Sequence, residues 1–308
     1  MRFSLIMCTL GRRDELAAFF ESLLRQNRTD FEIIVVDQND DDRLVDLLAR
    51  YTARFPLKHI RMNARGASRA RNCGIGHVSG ELLAFPDDDC EYLDGYLDRL
   101  DDLFKSNPDM AAMTSQTTAD ASLRQTASCL EGSFELDVRS VLNRCQEFTI
   151  VVRRRELGAV RFNDFLGVGS GTPWGADEAP DFLIAFMKSG QRSFYYPGLF
   201  VYHPNKLAIV TRSTLARATS YARGRGCFLR LHKYPLRVMV QSVFRPLVGS
   251  VVYLVLLQPM RSAYYLWVVS GLLRGLLVSR TELARIAGGS NSESDGMGQL
   301  EGAIHANA

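Results

Sequence analysis

Strand-like and helix-like segments alternate through the first hundred residues, and this alternation constrains the fold more than any other feature. FSLIM (3–7) is a short apolar run, and residues 14–26 then repeat apolar positions at Leu16, Phe19, Phe20, Leu23 and Leu24, a helical spacing. FEIIVV (31–36) is β-branched and bounded by polar residues, RLVDLLARY (43–51) reads as a helix, LKHIRM (57–62) as a short strand and 66–79 as a further helix. ELLAF (81–85) is the fourth strand, followed by a helix over 92–105. Near-continuous apolar strands separated by helices predict an α/β fold, a mostly parallel sheet covered on both faces. In such sheets ligands gather at the carboxyl ends of the strands, where strand order reverses.

Three polar clusters follow strands directly: Thr9 after the first, DQND (37–40) after the second, and DDD (87–89) after the fourth. One acidic loop alone reads as a solvated turn, but several polar strand ends converging on one edge suggest a site. Adjacent carboxylates repel one another and are costly to desolvate. They remain ionised together when a divalent cation holds them, and hard oxygen ligands suit Mg²⁺ or Mn²⁺. Such an ion bridges nucleotide phosphates and offsets the charge of a departing diphosphate. The competing expectation is an acidic N-cap for the helix at 92–105, although a cap needs one Asp rather than three.

The stretch ARNCGIGHVSGELLAFPDDDC (70–90) resembles the segment of family 2 glycosyltransferases that reads Ala-Arg-Asn-x-Gly, a helix, Gly-Glu, a strand, then Asp-x-Asp. FSLIMCTLGRRDELAAFFESLLRQ (3–26) is similar to that family's first strand and helix, with Cys8-Thr9 where Pro-Thr is usual. FEIIVVDQNDDD (31–42) resembles its second strand and acidic loop, and GTPWGADEAPDFLIAFMKSGQRSFYYPGLFVYHP (171–204) its acceptor region, closing with Tyr-His. The ordered set covers about 200 of 308 residues.

The resemblance implies a GT-A fold and transfer of a sugar from a nucleoside-diphosphate sugar with inversion at the anomeric carbon. It places Thr9, Asp37 and the loop Gln38, Asn39 and Asp40 around the nucleobase, and Arg71 beside the base and ribose or near the diphosphate. Asp87 and Asp89 become the Asp-x-Asp pair, Asp89 binding Mn²⁺ or Mg²⁺ and Asp87 nearer the ribose, with Asp88 at the variable place on the donor side. Gln38 stands where many members carry a second Asp, which leaves the donor base open. The acceptor motif is commonly Glu-Asp or Glu-Glu, then x-Asp; here it reads Asp177-Glu178-Ala179-Pro180-Asp181. Aligned on Asp181, Ala179 occupies the position that often carries the general base, so Glu178 is the expected base, with Asp177 behind it. The alternative for Asp177 or Glu178 is a cap on a helix at 179–189, which Pro180 suits. His203 is either a third metal ligand or a hydrogen-bonded structural residue. The glycines of GVGSGTPWG (167–175) suit a mobile loop over the donor, and Trp174 is expected to stack on a sugar ring in an acceptor site shared with Asp181.

The formal charge of +3 conceals an asymmetry. Residues 206–285 hold 13 Lys or Arg and one acid, a net of +12, which leaves residues 1–205 at −6 once the acidic last 23 residues are counted. An acidic body with a basic, apolar end predicts contact with an anionic surface through that end. The runs PLVGSVVYLVLLQPM (246–260) and AYYLWVVSGLLRGLLV (263–278) are each about 15 residues, short of the roughly 20 a spanning helix needs. With Tyr264, Tyr265 and Trp267 nearby they predict in-plane helices or a shallow hairpin on the inner face of a membrane, or helices packed on protein. Apolar helices of this kind do not build a nucleic-acid groove. The expected organisation is a catalytic domain at 1–205, with a nucleotide-binding half at about 1–105 and an acceptor half at 106–205. A membrane-associating region at 206–285 and a disordered tail at 286–308 complete it.

Six scattered cysteines without C-x-x-C spacing fit a reducing compartment. FSLIMCTL lacks a following small-residue cleavage site, so it is expected to be a first strand in a cytoplasmic protein. The family resemblance implies an enzyme of surface-polysaccharide synthesis acting on a lipid-linked or oligosaccharide acceptor. The rivals are a nucleotidyltransferase, which also joins a nucleotide-binding sheet to acidic metal ligands, and a non-catalytic membrane adaptor. A dinucleotide oxidoreductase is disfavoured because no G-x-G-x-x-G follows the first strand.

Overall fold

The computed structural model describes residues 1–123, 132–204 and 211–289. Its strands are β1 (Phe3–Thr9), β2 (Phe31–Asp37), β3 (Leu57–Arg61), β4 (Leu82–Ala84), β5 (Glu91–Tyr92), β6 (Ala112–Thr118), β7 (Phe134–Glu135), β8 (Val151–Arg153) and β9 (Ser193–Tyr202). They form one sheet in the order β3-β2-β1-β4-β8-β6-β9-β5, with β7 paired to β9. β3, β2, β1 and β4 run parallel, as do β6 and β9, while β8 lies antiparallel between β4 and β6. The strand order reverses beside β1 and β4, the place where a ligand crevice is expected.

The helices are α1 (Asp14–Leu24), α2 (Val45–Thr52), α3 (Ala67–Ile75), α4 (Tyr96–Ser106), α5 (Val138–Val141), α6 (Arg154–Leu157), α7 (Glu178–Lys188), α8 (Arg212–Leu231), α9 (Leu236–Val255), α10 (Pro259–Leu276) and α11 (Arg280–Gly288). Strand alternation sorts the apolar side chains into two cores. Phe3, Leu5 and Met7 join Leu16, Phe19 and Phe20 of α1 and Tyr96 and Leu100 of α4 on one face. Ile6, Ile34 and Val36 join Ala70 of α3 and Phe182 and Phe186 of α7 on the other. Fully burying each such side chain contributes roughly 1.5–3 kcal/mol, enough to hold the strand ends rigidly. α3 approaches β1 closely because Gly74 has no Cβ; one placed there would sit 2.4 Å from Ile6 Cγ2.

Two helix boundaries differ from the sequence expectation. The helix expected at 92–105 starts at Tyr96, because Glu91 and Tyr92 pair with Tyr202 and Val201 as an edge strand. Gly95, at φ 76°, then turns the chain into the helix. The helix expected at 66–79 ends at Ile75, where Gly76 follows. The five cysteines among the described residues are unpaired, and Cys129 lies outside them. The proposed boundary at 205/206 and all but the first four residues of the expected tail also lie outside the described residues.

The carboxyl-terminal helices differ more from expectation. Pro246 does not break α9, so residues before the apolar run extend it to 20 residues with a mean hydropathy of 1.6. That length and composition are enough to cross a membrane, so the shortness expected from the sequence does not exclude a span. α9 and α10 form a hairpin in which Ser250 Oγ lies 2.9 Å from Ser262 Oγ and Tyr253 stacks on Tyr265. α10 runs alongside α8 through a seam of small residues. A Cβ at Gly275 would meet Arg223 O at 2.3 Å and Cys227 N at 2.8 Å, and one at Gly271 would meet Thr219 O at 2.7 Å. α8 in turn passes over the loop before α7, with Gly224 against the Ala176 backbone. The hairpin's outer face and tip stay exposed and apolar, with Val255 74%, Leu257 88% and Leu277 81% accessible.

Because the seam partners are backbone atoms that cannot rotate away, Gly275→Val should destabilise the protein by about 1–3 kcal/mol, the usual cost of overpacking. Thermal unfolding in detergent should show this, with Gly288→Ala, which meets nothing within 4 Å, close to wild type. Equal melting of the two variants would contradict the seam.

Candidate active site

The apolar strands stop at one edge, and the polar residues that end them meet there. Thr9 ends β1 and donates its hydroxyl to Asp88 Oδ2 at 2.7 Å. Cys8 forms a parallel bridge with Asp87, which carries the β4 line one step past the strand proper. Asp37 ends β2, fully buried; its Oδ1 accepts from Asn39 N at 2.9 Å and Nδ2 at 2.7 Å, while Oδ2 lies 2.9 Å from His59 Nε2. Asn39 Oδ1 accepts from Gly11 N and Gln38 Oε1 from Gly66 N, each at 2.7 Å, so the loop is tied to both neighbouring turns. Asp40 stands apart on the surface, 3.9 Å from Arg65.

The three consecutive acids have separate surroundings. One ligand atom from each of Asp87, Asp89 and His203 lies within 4.8 Å of the others. His203 Nε2 sits 3.2 Å from Asp89 Oδ1, and its ring stacks on Phe148 with centroids 4.8 Å apart. Arg12 Nη1 lies 2.6 Å from both Asp88 Oδ1 and Asp89 Oδ2. Burial opposes ionisation of Asp89, but hydrogen bonds from His203 and Arg12 outweigh it and hold the carboxyl well below the usual range. Asp87 goes the other way: burial and then the Glu147 charge push it up to about 8, against the opposing pull of Arg71. Burial, more than like charge, therefore sets Asp87 apart from Asp89. Two carboxylates and an imidazole at this spacing fit a hard divalent cation such as Mn²⁺ or Mg²⁺.

Arg71 links this cluster to the first turn of α7. It projects from α3 with its side chain 3% exposed, placing Nη2 3.1 Å from Asp87 Oδ1 and Nη1 3.5 Å from Glu178 Oε1. Its guanidinium lies over the Phe162 ring, and its Nε is buried without a partner. Glu178 opens α7. Burial and the Glu147 charge raise its carboxyl to about 7, Arg71 opposing. Gly167, at φ 94°, packs against that carboxyl so closely that a Cβ would fall 2.6 Å from Glu178 Cδ. The glycine fixes where the carboxylate sits.

The 167–175 loop is anchored rather than free. Ala67 N donates to Val168 O, Ser68 Oγ to Leu166 O and Gly167 N to Trp174 O, each at 2.9 Å. Trp174 is 7% exposed and packs with Leu166, Cys227, Val278 and Ile286, so its ring faces core and not an open acceptor groove. Asp177, at the N-cap position with φ 69°, makes no capping hydrogen bond; its Oδ1 pairs with Arg225 Nη2 at 2.7 Å. Burial raises its carboxyl, with Arg225 opposing. Asp181 is held by His232 Nε2 at 2.7 Å, tying α7 to the end of α8.

The fold thus brings together Thr9, Asp37, Asn39, Arg71, Asp87, Asp88, Asp89, Glu178 and His203, with Asp177 beside them. Three further residues were not anticipated. Arg12 and His59 are ordinary surface types in the sequence, and only the turn after β1 and the pairing of β3 with β2 bring them in. Glu147 lies in a short 3₁₀ turn whose sequence, EFT, carries no motif.

Residues 4–157 match the family described as glycosyl transferase family 2. The poly(ribitol-phosphate) β-N-acetylglucosaminyltransferase TarS of Staphylococcus aureus is 29% identical over 93 residues, covering 29% of this chain and 16% of that protein. The GalNAc(5)-diNAcBac-PP-undecaprenol β-1,3-glucosyltransferase of Campylobacter jejuni is 32% identical over 102 residues, covering 32% of this chain and 33% of that one. In both, the match spans a third or less of the relative's own length. Among solved structures, TarS 1-349 in complex with UDP-GlcNAc superposes with a TM-score of 0.55 at 15% identity, covering 89% of this chain and 92% of that one. The mannosyltransferase PcManGT from Pyrobaculum calidifontis, in complex with GDP-Man and Mn²⁺, gives 0.61 at 13% identity, covering 90% and 87%. These likenesses show a GT-A fold, and with the family match over half its length the chain belongs to glycosyl transferase family 2.

Proposed function

We propose that the chain transfers a sugar from a nucleoside-diphosphate sugar to a glycan acceptor with inversion at the anomeric carbon. The observation that carries this is the buried arginine Arg71, which joins a metal-competent acidic cluster to Glu178, a buried carboxyl with a raised pKa. In this reading Thr9, Asp37 and Asn39 line the nucleoside, and Asp88, held by Thr9 and Arg12, borders the diphosphate. Asp40, exposed at the outer end of the loop, touches only the periphery of the base. Asp89, Asp87 and His203 would hold Mn²⁺ or Mg²⁺, which when bound supplies positive charge to the diphosphate as it departs. Glu178 accepts the proton of the acceptor hydroxyl. The oxygen so freed bonds to the anomeric carbon from the face opposite the leaving group, and the electron pair of the breaking C–O bond goes to the diphosphate. Arg71 fixes the spacing between the two halves of the site. Asp177 and Asp181 support the acceptor side through Arg225 and His232, and Trp174 backs the loop that carries Gly167.

We further infer a division of labour between a catalytic region over residues 1–205 and a membrane-contacting region over 206–285. The relatives named as acting on poly(ribitol-phosphate) and on an undecaprenol-linked glycan support a surface-polysaccharide acceptor. The exposed apolar hairpin and the Arg excess support attachment to an anionic inner membrane face. Arg245 lies mid-way along α9, and a charge at the bilayer centre costs about 2.5–3.5 kcal/mol, which favours an in-plane position over a span.

Asp89→Asn should abolish Mn²⁺-dependent binding of UDP or GDP with little change in unfolding temperature, since one charge at a strand tip is lost. Titration calorimetry with and without Mn²⁺ tests this, and an unchanged affinity would remove the cation site.

Glu178→Gln should slow transfer by ~10² or more while donor affinity stays near normal, the scale expected for losing a general base. Normal transfer by this variant, with Asp177→Asn inactive, would move the base by one residue.

The base must be ionised to work, so kcat/KM should rise with pH through about 7, the raised value of Glu178. Glu147→Gln removes a like charge that disfavours the ionised form, so the acidic limb should move to lower pH. A limb that stays put or moves upward would show that Glu147 does not set this ionisation.

A further inference from the structure

Beside the candidate base lies a cavity of about 980 Å³ that the transfer chemistry does not use. Its floor is the Ala176–Asp177 turn, its sides are α8 and the segment around Arg139 and Leu142, and its outer wall is the α9–α10 hairpin. Four guanidinium groups line it: Arg139, Arg225, Arg237 and Arg245. Asp177 is the one carboxylate among the lining residues, and Arg225 already pairs with it. Among the described residues, no carboxylate lies within 4.0 Å of the other three. The outer wall is apolar and aromatic, with Tyr264, Tyr265 and Val268 facing the cavity, and it continues into the exposed face at Leu247, Val248 and Val251.

This arrangement is amphiphilic: Asp177, next in sequence to the candidate base, lies at the floor, arginines come from α8, α9 and the Arg139 segment, and the apolar side chains of the hairpin lead outward. A free sugar would leave the arginines without partners. A simple anion would leave the apolar wall unused, and an ordinary hydrocarbon chain would leave the exposed arginines without partners. Arginine forks suit the oxygens of a phosphate ester, each charge-assisted hydrogen bond contributing more than a neutral one.

We propose that this cavity receives the diphosphate and the first isoprenoid units of a lipid-linked glycan acceptor. Arg139, Arg237 and Arg245 bind the diphosphate, and Tyr264, Tyr265 and Val268 line the path of the chain toward the exposed hairpin. The attached sugar is thereby presented at the Asp177–Glu178 end. This inference rests on the transfer reading above and adds to it where the carrier binds and which side chains recognise it.

The test uses the full-length protein in neutral detergent, titrated with a short-chain isoprenyl diphosphate, with inorganic diphosphate and with the matching isoprenyl alcohol. The isoprenyl diphosphate should bind at least ~10-fold more tightly than either comparator, since each half of the ligand contributes on the order of 1.4 kcal/mol or more. The double variant Arg237→Gln/Arg245→Gln should lose ~10-fold or more of that affinity. Arg274→Gln/Arg280→Gln, at exposed positions outside the cavity, should lose none. Equal binding of inorganic diphosphate or of the alcohol, an unchanged affinity in the first double variant, or an equal loss in the second would each overturn the proposal. Mn²⁺-dependent nucleotide binding measured on the same samples separates the two readings. Its absence in the wild type would sink the transfer reading, whereas the isoprenyl series alone decides the cavity.

Discussion

A buried guanidinium is expensive to desolvate, and Arg71 meets that cost by facing two acids at once. Breaking such an arrangement by removing one partner costs about 3–5 kcal/mol, because an uncompensated charge is left behind. Asp87 comes from the tip of a parallel strand and Glu178 from the first turn of a helix some ninety residues later, and Arg71 holds both from α3. Gly74 lets α3 lie close on β1 and Gly167 leaves room for the Glu178 carboxyl, so two absent side chains set the position of three present ones. Burial, reinforced by the like charge of Glu147, raises Glu178 to about 7, where a carboxyl group both accepts a proton and later releases it.

The convergence of the strand-end residues was legible in the sequence because its logic is local. Each of Thr9, Asp37 and Asp87 directly follows an apolar strand, and parallel strands bring their ends to one edge whatever the details of packing. The Asp177–Glu178 pair was legible only as a choice between neighbours. The fold separates their surroundings: Arg225 engages Asp177, while Arg71 and Gly167 frame Glu178. Arg12, His59 and Glu147 were not legible. Their contributions come from long-range proximity, and nothing in their own neighbourhoods of sequence distinguishes them from surface charge. Trp174 shows the opposite failure, an aromatic in a glycine-rich loop that reads as a ligand platform and instead seals a small core beneath α8 and α11.

The carboxyl-terminal helices were legible in composition but not in length. The apolar run was counted from Pro246 to Met260, whereas the helix begins at Leu236, passes through Pro246 and ends at Val255, and Pro259 opens the next helix. Their packing follows from small residues that repeat at four-residue spacing, Ala222 and Gly226 on α8 and Gly271 and Gly275 on α10, which bring two backbones together without large side chains. That close seam leaves the large apolar residues on the outside. An exposed apolar hairpin thus stands over a cavity lined with arginine, beside Asp177.

If Glu178 works as a single base facing the metal cluster across Arg71, each transfer is one displacement with no covalent sugar–enzyme stage. The configuration of the new glycosidic bond reports this directly, read from the anomeric proton coupling of the product formed from a donor of known configuration. Inversion, complete and independent of acceptor, is the result the site predicts. Retention would require a second carboxylate acting as nucleophile and would contradict it.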